Sequence, residues 1–279
     1  MKEPPNKYDA WHSELALWLS GQASMTRLES LILRLQALID CRCTMVLAFP
    51  GFGQASIITE TTSPGSPILE TNPQYLEGAY LLDPFYNFGV SEKRSGAYRI
   101  RDVAPTGFEK SEYYQVFYQR ACVVDEICIL CALPRDFILI SCARIEDDAP
   151  FSHEDASLLH SLSPVIEACL KRWWETYTLS PTDDQFHQQV VLAFDLFGSS
   201  ILTPREVEIL QCMLRGHSIK SLADHFHISI DTVKHHRKNI YNKLDIRSQG
   251  ELFDLFLTAV SAYKPELYSD PLQALSATR

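Results

Sequence analysis

No apolar run in this chain of 279 residues approaches the ~18 that a bilayer-spanning helix needs. The polar start Met1-Lys2-Glu3-Pro4-Pro5-Asn6 also lacks the charged-then-apolar pattern of a secretory signal. Both absences argue against a membrane and lead us to expect a cytoplasmic protein. A phosphate loop, a nucleophile elbow and paired catalytic carboxylates are missing as well, so no enzyme is expected. The chain has no internal repeat. It has no excess of positive charge either: the formal net charge is −10, the wrong sign for a nucleic-acid binder if spread evenly.

What is present belongs to a globular protein. A hydrophobic fraction of 46% with 22% charged residues supplies material for cores, and the length suits two domains. The eight cysteines are an even number, but without a secretory signal reduced thiols are expected rather than disulfides. Cys128 and Cys131 have metal-site or redox spacing. Their setting, Glu126-Ile127-Cys128-Ile129-Leu130-Cys131-Ala132-Leu133, reads instead as a buried strand, in which an offset of three puts the two sulfurs on opposite faces. The histidines, including His225 with His227 and adjacent His235-His236, have no carboxylate or thiol at ligand spacing, so neither metal nor cofactor is expected.

Divided by region, the charge becomes informative. From 203 to 263 eight basic side chains face seven acidic ones, leaving +1 there and −11 elsewhere. That asymmetry suits a polarised two-part protein.

The N-terminal part opens with helical periodicity over 8–20 and 26–40, the second carrying Leu28, Leu31, Ile32, Leu35 and Leu38 on one stripe. Two strands follow around the Pro50-Gly51 turn, at Cys43 to Phe49 and Ala55 to Glu60. After the loop 62–67 comes a short helical stretch to Asp83-Pro84, an irregular section to Tyr98, a strand from Tyr98 to Arg101 and a helix from Ser111 to Ala121. Val124 to Leu133 and Phe137 to Arg144 form a second antiparallel pair. Ser152 caps a long helix with Asp155 at its third position, and Pro164 is expected to bend it. This order predicts an α+β domain over 1–177, an antiparallel sheet flanked by helices as an α/β/α sandwich of the GAF or PAS kind. Residues 178–202 read as a linker, although Val190 to Phe197 is apolar enough to pack, and 264–279 as a tail. A receiver domain would begin with a strand ending in paired acids, so phosphorelay control is not expected.

The region 203–263 carries the sharpest signal. Thr203, Pro204 and Glu206 form a helix start in which the third residue closes a capping box, and Gly216 ends that helix. Ser218 caps Ile219 to Phe226, and Ser229 caps a third helix with Val233, Ile240 and Leu244 inward and Lys234, Arg237 and Lys238 outward. A basic face alone is ordinarily just solvated, but a tight helix-turn-helix with an apolar seam and a basic outer face is the form of a groove reader. Taken together, Leu202-Thr203-Pro204-Arg205-Glu206, Gly216, Lys220, Ala223, Ile228-Ser229, Thr232-Val233-Lys234, His236, Asn239-Ile240, Lys243-Leu244 and Glu251-Leu252 resemble the LuxR-type helix-turn-helix family. The resemblance implies an all-α four-helix domain whose last helix, Ser248 to Ala262, helps to pair two copies. It places Lys234, His235 and Lys238 against bases, and Lys220, Thr232 and Arg237 against phosphates. It implies a double-stranded operator, a homodimer and, as a further candidate partner, RNA polymerase. Gln249 replaces the arginine usual after the serine.

The N-terminal element order also resembles the autoinducer-binding domain of quorum-sensing LuxR regulators, carried by Tyr75, Tyr80-Leu81-Leu82-Asp83-Pro84, Tyr98 and the Ala121 to Glu126 step. The resemblance implies that Asp83 takes a ligand amide, walled by Tyr75, Tyr80, Phe85, Tyr86 and Tyr98. Departures are visible: a tryptophan upstream of Asp83 is absent, Tyr98 stands where another is usual, and Asp125-Glu126 replaces a glycine-containing junction. A small polar, aromatic or amine-bearing effector is therefore expected rather than a standard acyl-homoserine lactone. The competing expectation is a ligand-free interaction module, in which the aromatics near Asp83 would form solid core and Asp83 would only start a turn. A cavity beside Asp83 separates the two.

Overall fold

The computed structural model describes residues 6–51, 55–62, 65–177 and 184–276. Helices α1 (Lys7–Ser20) and α2 (Met25–Ile39) lead into strands β1 (Cys43–Phe49) and β2 (Ser56–Thr61). Then come α3 (Pro67–Leu76), a 3-10 turn over Ala79–Leu82, α4 (Pro84–Glu92), β3 (Gly96–Arg99) and the short α5 (Ile100–Val103). A single helical turn, α6 (Glu112–Tyr114), continues as a π-helix over Gln115–Arg120. Strands β4 (Val123–Ala132) and β5 (Phe137–Ile145) and the long α7 (His153–Trp174) complete the N-terminal part.

The five strands make one antiparallel sheet in the order β2-β1-β5-β4-β3. Alternation along the strands assigns its faces. Val46, Ile127, Ile129, Cys131, Ile138, Ile140 and Cys142 point to the face covered by α1, α2 and α7. Met45, Leu47, Cys128, Leu130 and Leu139 point to the other, under α3, α4 and α6. Cys128 and Cys131 accordingly lie in different cores, as an offset of three requires. The leucine stripe of α2 is 0–2% exposed, and each such side chain contributes roughly 1.5–3 kcal/mol through burial.

Local chemistry explains the helix ends. Ser152 Oγ accepts from the Asp155 amide while Asp155 accepts from the Ser152 amide, a complete capping box. Helix α7 runs on through Pro164. Proline leaves the His160 carbonyl without its usual amide donor, and the Ser163 hydroxyl donates to it at 2.9 Å instead. The section expected to be irregular before Tyr98 contains α4, because Asp83 caps it and Pro84 supplies a first residue that needs no amide partner.

Helix α8 (Asp184–Leu196) occupies much of the stretch read as a linker. Four helices follow: α9 (Pro204–Leu214), α10 (Ile219–Phe226), α11 (Ile230–Leu244) and α12 (Gln249–Ala262). A last helix, α13 (Pro271–Ser276), folds back within the expected tail. Its anchor is Asp270, fully buried, which accepts from the amides of Gly198 at 3.1 Å and Ser200 at 2.8 Å. Phe256 of α12 meets Phe194 and Phe197 edge-on at 5.6 and 5.3 Å. The apolar face of α12 is thus covered by α8 and α13 of the same chain.

Candidate functional site

The basic helix is set by three successive caps. Thr203 Oγ1 accepts from the Glu206 amide and Glu206 from the Thr203 amide, fixing the start of α9. Ser218 caps α10, and His227 at φ 53° turns the chain toward Ser229, which caps α11. Val233 and Ile240 of α11 are fully buried and Leu244 nearly so. That seam leaves Lys220, Thr232, Lys234, His235 and Lys238 exposed and Arg237 half-buried. The Thr232 hydroxyl shares a 2.8 Å hydrogen bond with Ser229, and Lys234 pairs with the exposed Asp231 at 3.2 Å.

One ion pair locks this arrangement. Lys243 of α11 donates to Glu206 Oε2 at 2.6 Å, joining the C-terminal half of α11 to the start of α9. Burial alone would raise the Glu206 carboxyl, but the Lys243 ammonium and the amide and hydroxyl of Thr203 outweigh it and bring it down to about 2. Its stabilising contribution is present above the unfolded value near 4.5 and is lost as pH falls through about 2. We expect Glu206→Ala to cost roughly 2 kcal/mol at neutral pH, read by urea unfolding. An unchanged midpoint would show that the lock contributes nothing. Gln249 still makes a contact at the end of α9, donating to the Met213 carbonyl at 3.1 Å.

Asp83 has two roles. Its Oδ1 accepts from the Phe85 amide at 2.8 Å, capping α4, and its Oδ2 accepts from the Tyr75 hydroxyl at 2.7 Å. Beside it lies a cavity of about 70 Å³, lined also by Met45, Leu47, Tyr113, Phe117, Tyr118, Glu126 and Ser141. Of the six residues expected to form the pocket, Tyr75 and Asp83 line this cavity. Tyr80 and Phe85, 0% and 2% exposed, are packed into solid core. Tyr86 faces a separate recess of about 250 Å³ with Gly51, Arg135 and Phe137. Tyr98 lies on β3 against Phe88, 4.5 Å between ring centres. Its hydroxyl donates to the carbonyls of Arg94 and Ser95, outside the cavity. Tyr80, Phe85 and Tyr86 are displaced from the Asp83 pocket because nearness in sequence does not put side chains on one face of α4 and the preceding turn, and Tyr98 because β3 turns its ring toward Phe88.

The missed walls are the aromatics of α6 and its π-helical continuation, together with Glu126. Strand parity carried a signal for the latter: Glu126 shares a face with Cys128 and Leu130, an inward position for a charge. Its Oε1 accepts from the Ser141 hydroxyl at 2.5 Å and its Oε2 from Tyr118. Burial pushes the Asp83 carboxyl up to about 7, the Glu126 charge adds to the rise, and the Tyr75 hydroxyl and the Phe85 and Tyr86 amides oppose it. Burial likewise raises Glu126, against the hydrogen bonds from Ser141, Tyr118 and Cys128.

The segment that walls the cavity also touches the C-terminal helices. Gly216, at φ +87°, packs so closely that an added Cβ would sit 3.0 Å from Ser111 Cβ and 3.1 Å from the Phe108 ring. Glycine is required there both for the left-handed turn and for this approach. The Ser218 amide also points at the Thr106 carbonyl, 3.4 Å away.

Residues 200–256 match the GerE family, described as bacterial regulatory proteins, luxR family. Over 184 residues the chain is 27% identical to a putative HTH-type transcriptional regulator of Aeromonas salmonicida, spanning 63% of this chain and 93% of that one. It is 26% identical over 183 residues to the monoamine regulon transcriptional regulator of Klebsiella aerogenes, spanning 65% and 70% respectively. Among solved structures, the VqsR LBD domain from Pseudomonas aeruginosa is similar in fold, with a TM-score of 0.51 at 23% identity. That likeness covers 61% of this chain and 99% of that one.

Proposed function

From a C-terminal region that belongs to the luxR family of bacterial regulatory proteins, we propose that this transcription regulator is switched by a small molecule held beside Asp83. In this reading it acts in the cytoplasm and binds a pseudo-palindromic operator as a homodimer, with RNA polymerase as a further partner. Lys234, His235 and Lys238 face bases, while Lys220, Thr232 and Arg237 hold phosphates. The cavity next to Asp83 carries the ligand-responsive half, because a pure interaction module needs no space there.

The route between the two sites is short. Tyr113, Phe117 and Tyr118 wall the cavity. Phe108 and Ser111, a few residues before them, abut Gly216 at the turn between α9 and α10. A ligand that binds one arrangement of this segment more tightly than another shifts the population of DNA-competent molecules by that difference in affinity. Mass spectrometry of small molecules retained by the purified protein identifies the effector. Asp83→Ala is expected to lower its affinity at least tenfold, as removal of a buried hydrogen-bonding carboxylate requires. Retention of the same molecule at the same affinity would remove Asp83 from the site.

A further inference from the structure

We propose that the cavity takes a small organic cation, its ammonium held between Asp83 and Glu126 and its apolar part against Tyr75, Tyr113 and Phe117. The proposal rests on the ligand-responsive reading above and narrows it to one class of molecule.

The hydrogen-bond inventory of the walls selects this class. The Tyr75 hydroxyl is spent on Asp83, and the Tyr118 and Ser141 hydroxyls are spent on Glu126. The other polar side chains that line the space are committed too: Thr71 donates to the Ile68 carbonyl and Asn72 to Glu60. These committed donors leave little for a ligand carbonyl. The two carboxylates, by contrast, bring charge: Asp83 accepts from the Tyr75 and Tyr113 hydroxyls and the Phe85 and Tyr86 amides, and Glu126 from Ser141, Tyr118 and Cys128, all neutral donors that do not cancel it. An alkylammonium has three donors and no acceptor, the complement of that surface.

Charge points the same way. No lysine, arginine or histidine among the described residues lines the cavity. The buried Arg99 pairs with Asp125 at 3.0 Å, one residue from Glu126 and so on the opposite face of β4. Two carboxylates that share a poorly solvated space disfavour each other's ionised form, and a cation between them relieves both. The aromatic walls add the attraction of ring faces for an organic cation. About 70 Å³ is several times what one water needs, which suits a ligand of modest size.

Calorimetric titration of the full chain with benzylamine and butylamine, each against its neutral isostere benzyl alcohol or butanol, tests this at neutral pH. The amines should bind at least tenfold more tightly than the alcohols. Glu126→Gln, which preserves shape, should weaken amine binding at least tenfold and leave alcohol binding within about twofold. Asp83→Asn should behave in the same direction, so a folding failure of one variant leaves the other. Alcohols binding as tightly as amines, or amine binding indifferent to both variants, overturns the cation while a change of operator affinity with bound alcohol keeps the sensor. No binding by any of the four, with operator affinity unaltered by a cavity-filling Ala143→Leu, overturns both.

Discussion

Replacement of Lys234 and Lys238 together by alanine is expected to weaken operator binding by at least tenfold and to flatten its dependence on salt. Both ammonium groups stand on the exposed face of α11, opposite the buried Val233 and Ile240. The ion pair of Lys234 with Asp231, at 3.2 Å, is solvent-exposed. Such pairs contribute at most about 1 kcal/mol and give way to a stronger anion. A lysine that neutralises a phosphate contributes about 0.9 to the slope of log affinity against log salt, and one that reads a guanine edge contributes about 1–3 kcal/mol of discrimination. The double change therefore costs roughly 2–6 kcal/mol per protomer if both reach DNA. Alanine has the higher helix propensity and neither side chain is buried, so the fold itself should be untouched. Mobility-shift titrations at several salt concentrations read both effects, with Lys171→Ala on α7 as a control that should change neither. Equal affinity of the double variant and the parent at every salt concentration would take α11 out of the DNA interface.

The parts of this protein that were legible in its sequence are those whose causes are local. Thr203 with Glu206 and Ser152 with Asp155 announce helix starts, because a cap needs only three or four consecutive residues. The continuous apolar run from Ile127 to Cys131 announces a strand buried on both faces for the same reason. The cavity was not legible in this way. Tyr113, Phe117, Tyr118 and Glu126 meet Asp83 only because α6 and its π-helical continuation lie across the sheet face that carries Glu126 and Ser141. No short window of sequence encodes that juxtaposition. Tyr80, Phe85 and Tyr86 are neighbours of Asp83 in the chain, yet the caps and turns around Pro84 send them into core or toward another recess. Asp270 gave no periodic signal in the tail, although its buried carboxylate ties that tail to Gly198 and Ser200. In each case the missing information is which surface a helix lands on.

Asp83→Asn is expected to make the protein markedly more stable at pH 8, with a much smaller gain at pH 5. Below the unfolded value of 3.8 the carboxyl is protonated in both states and titration adds nothing. Between 3.8 and about 7 the unfolded chain gives up the proton and the folded protein keeps it, so stability falls as pH rises through this window. Above about 7 the full cost of ionising a buried acid is felt, on the order of 4 kcal/mol as an upper figure. Glu126, raised by burial, acts in the same direction. His217 acts in the other, since burial pushes it down to about 4 and stability is lost as pH falls from 6.5 toward that value. Only the difference between variant and parent isolates Asp83. Asparagine retains an oxygen for the Phe85 amide that caps α4, and its amide group can face Tyr75, whose hydroxyl then accepts instead of donating. Urea unfolding at pH 5, 6, 7 and 8 should show the two curves diverging with pH, whereas parallel curves would mean that Asp83 ionises freely in the folded state. An ammonium in the cavity supplies the charge that the site lacks. Saturating benzylamine should accordingly flatten the pH dependence of the parent and leave that of the variant nearly as it was, so that one set of unfolding curves reports both the acid and its ligand.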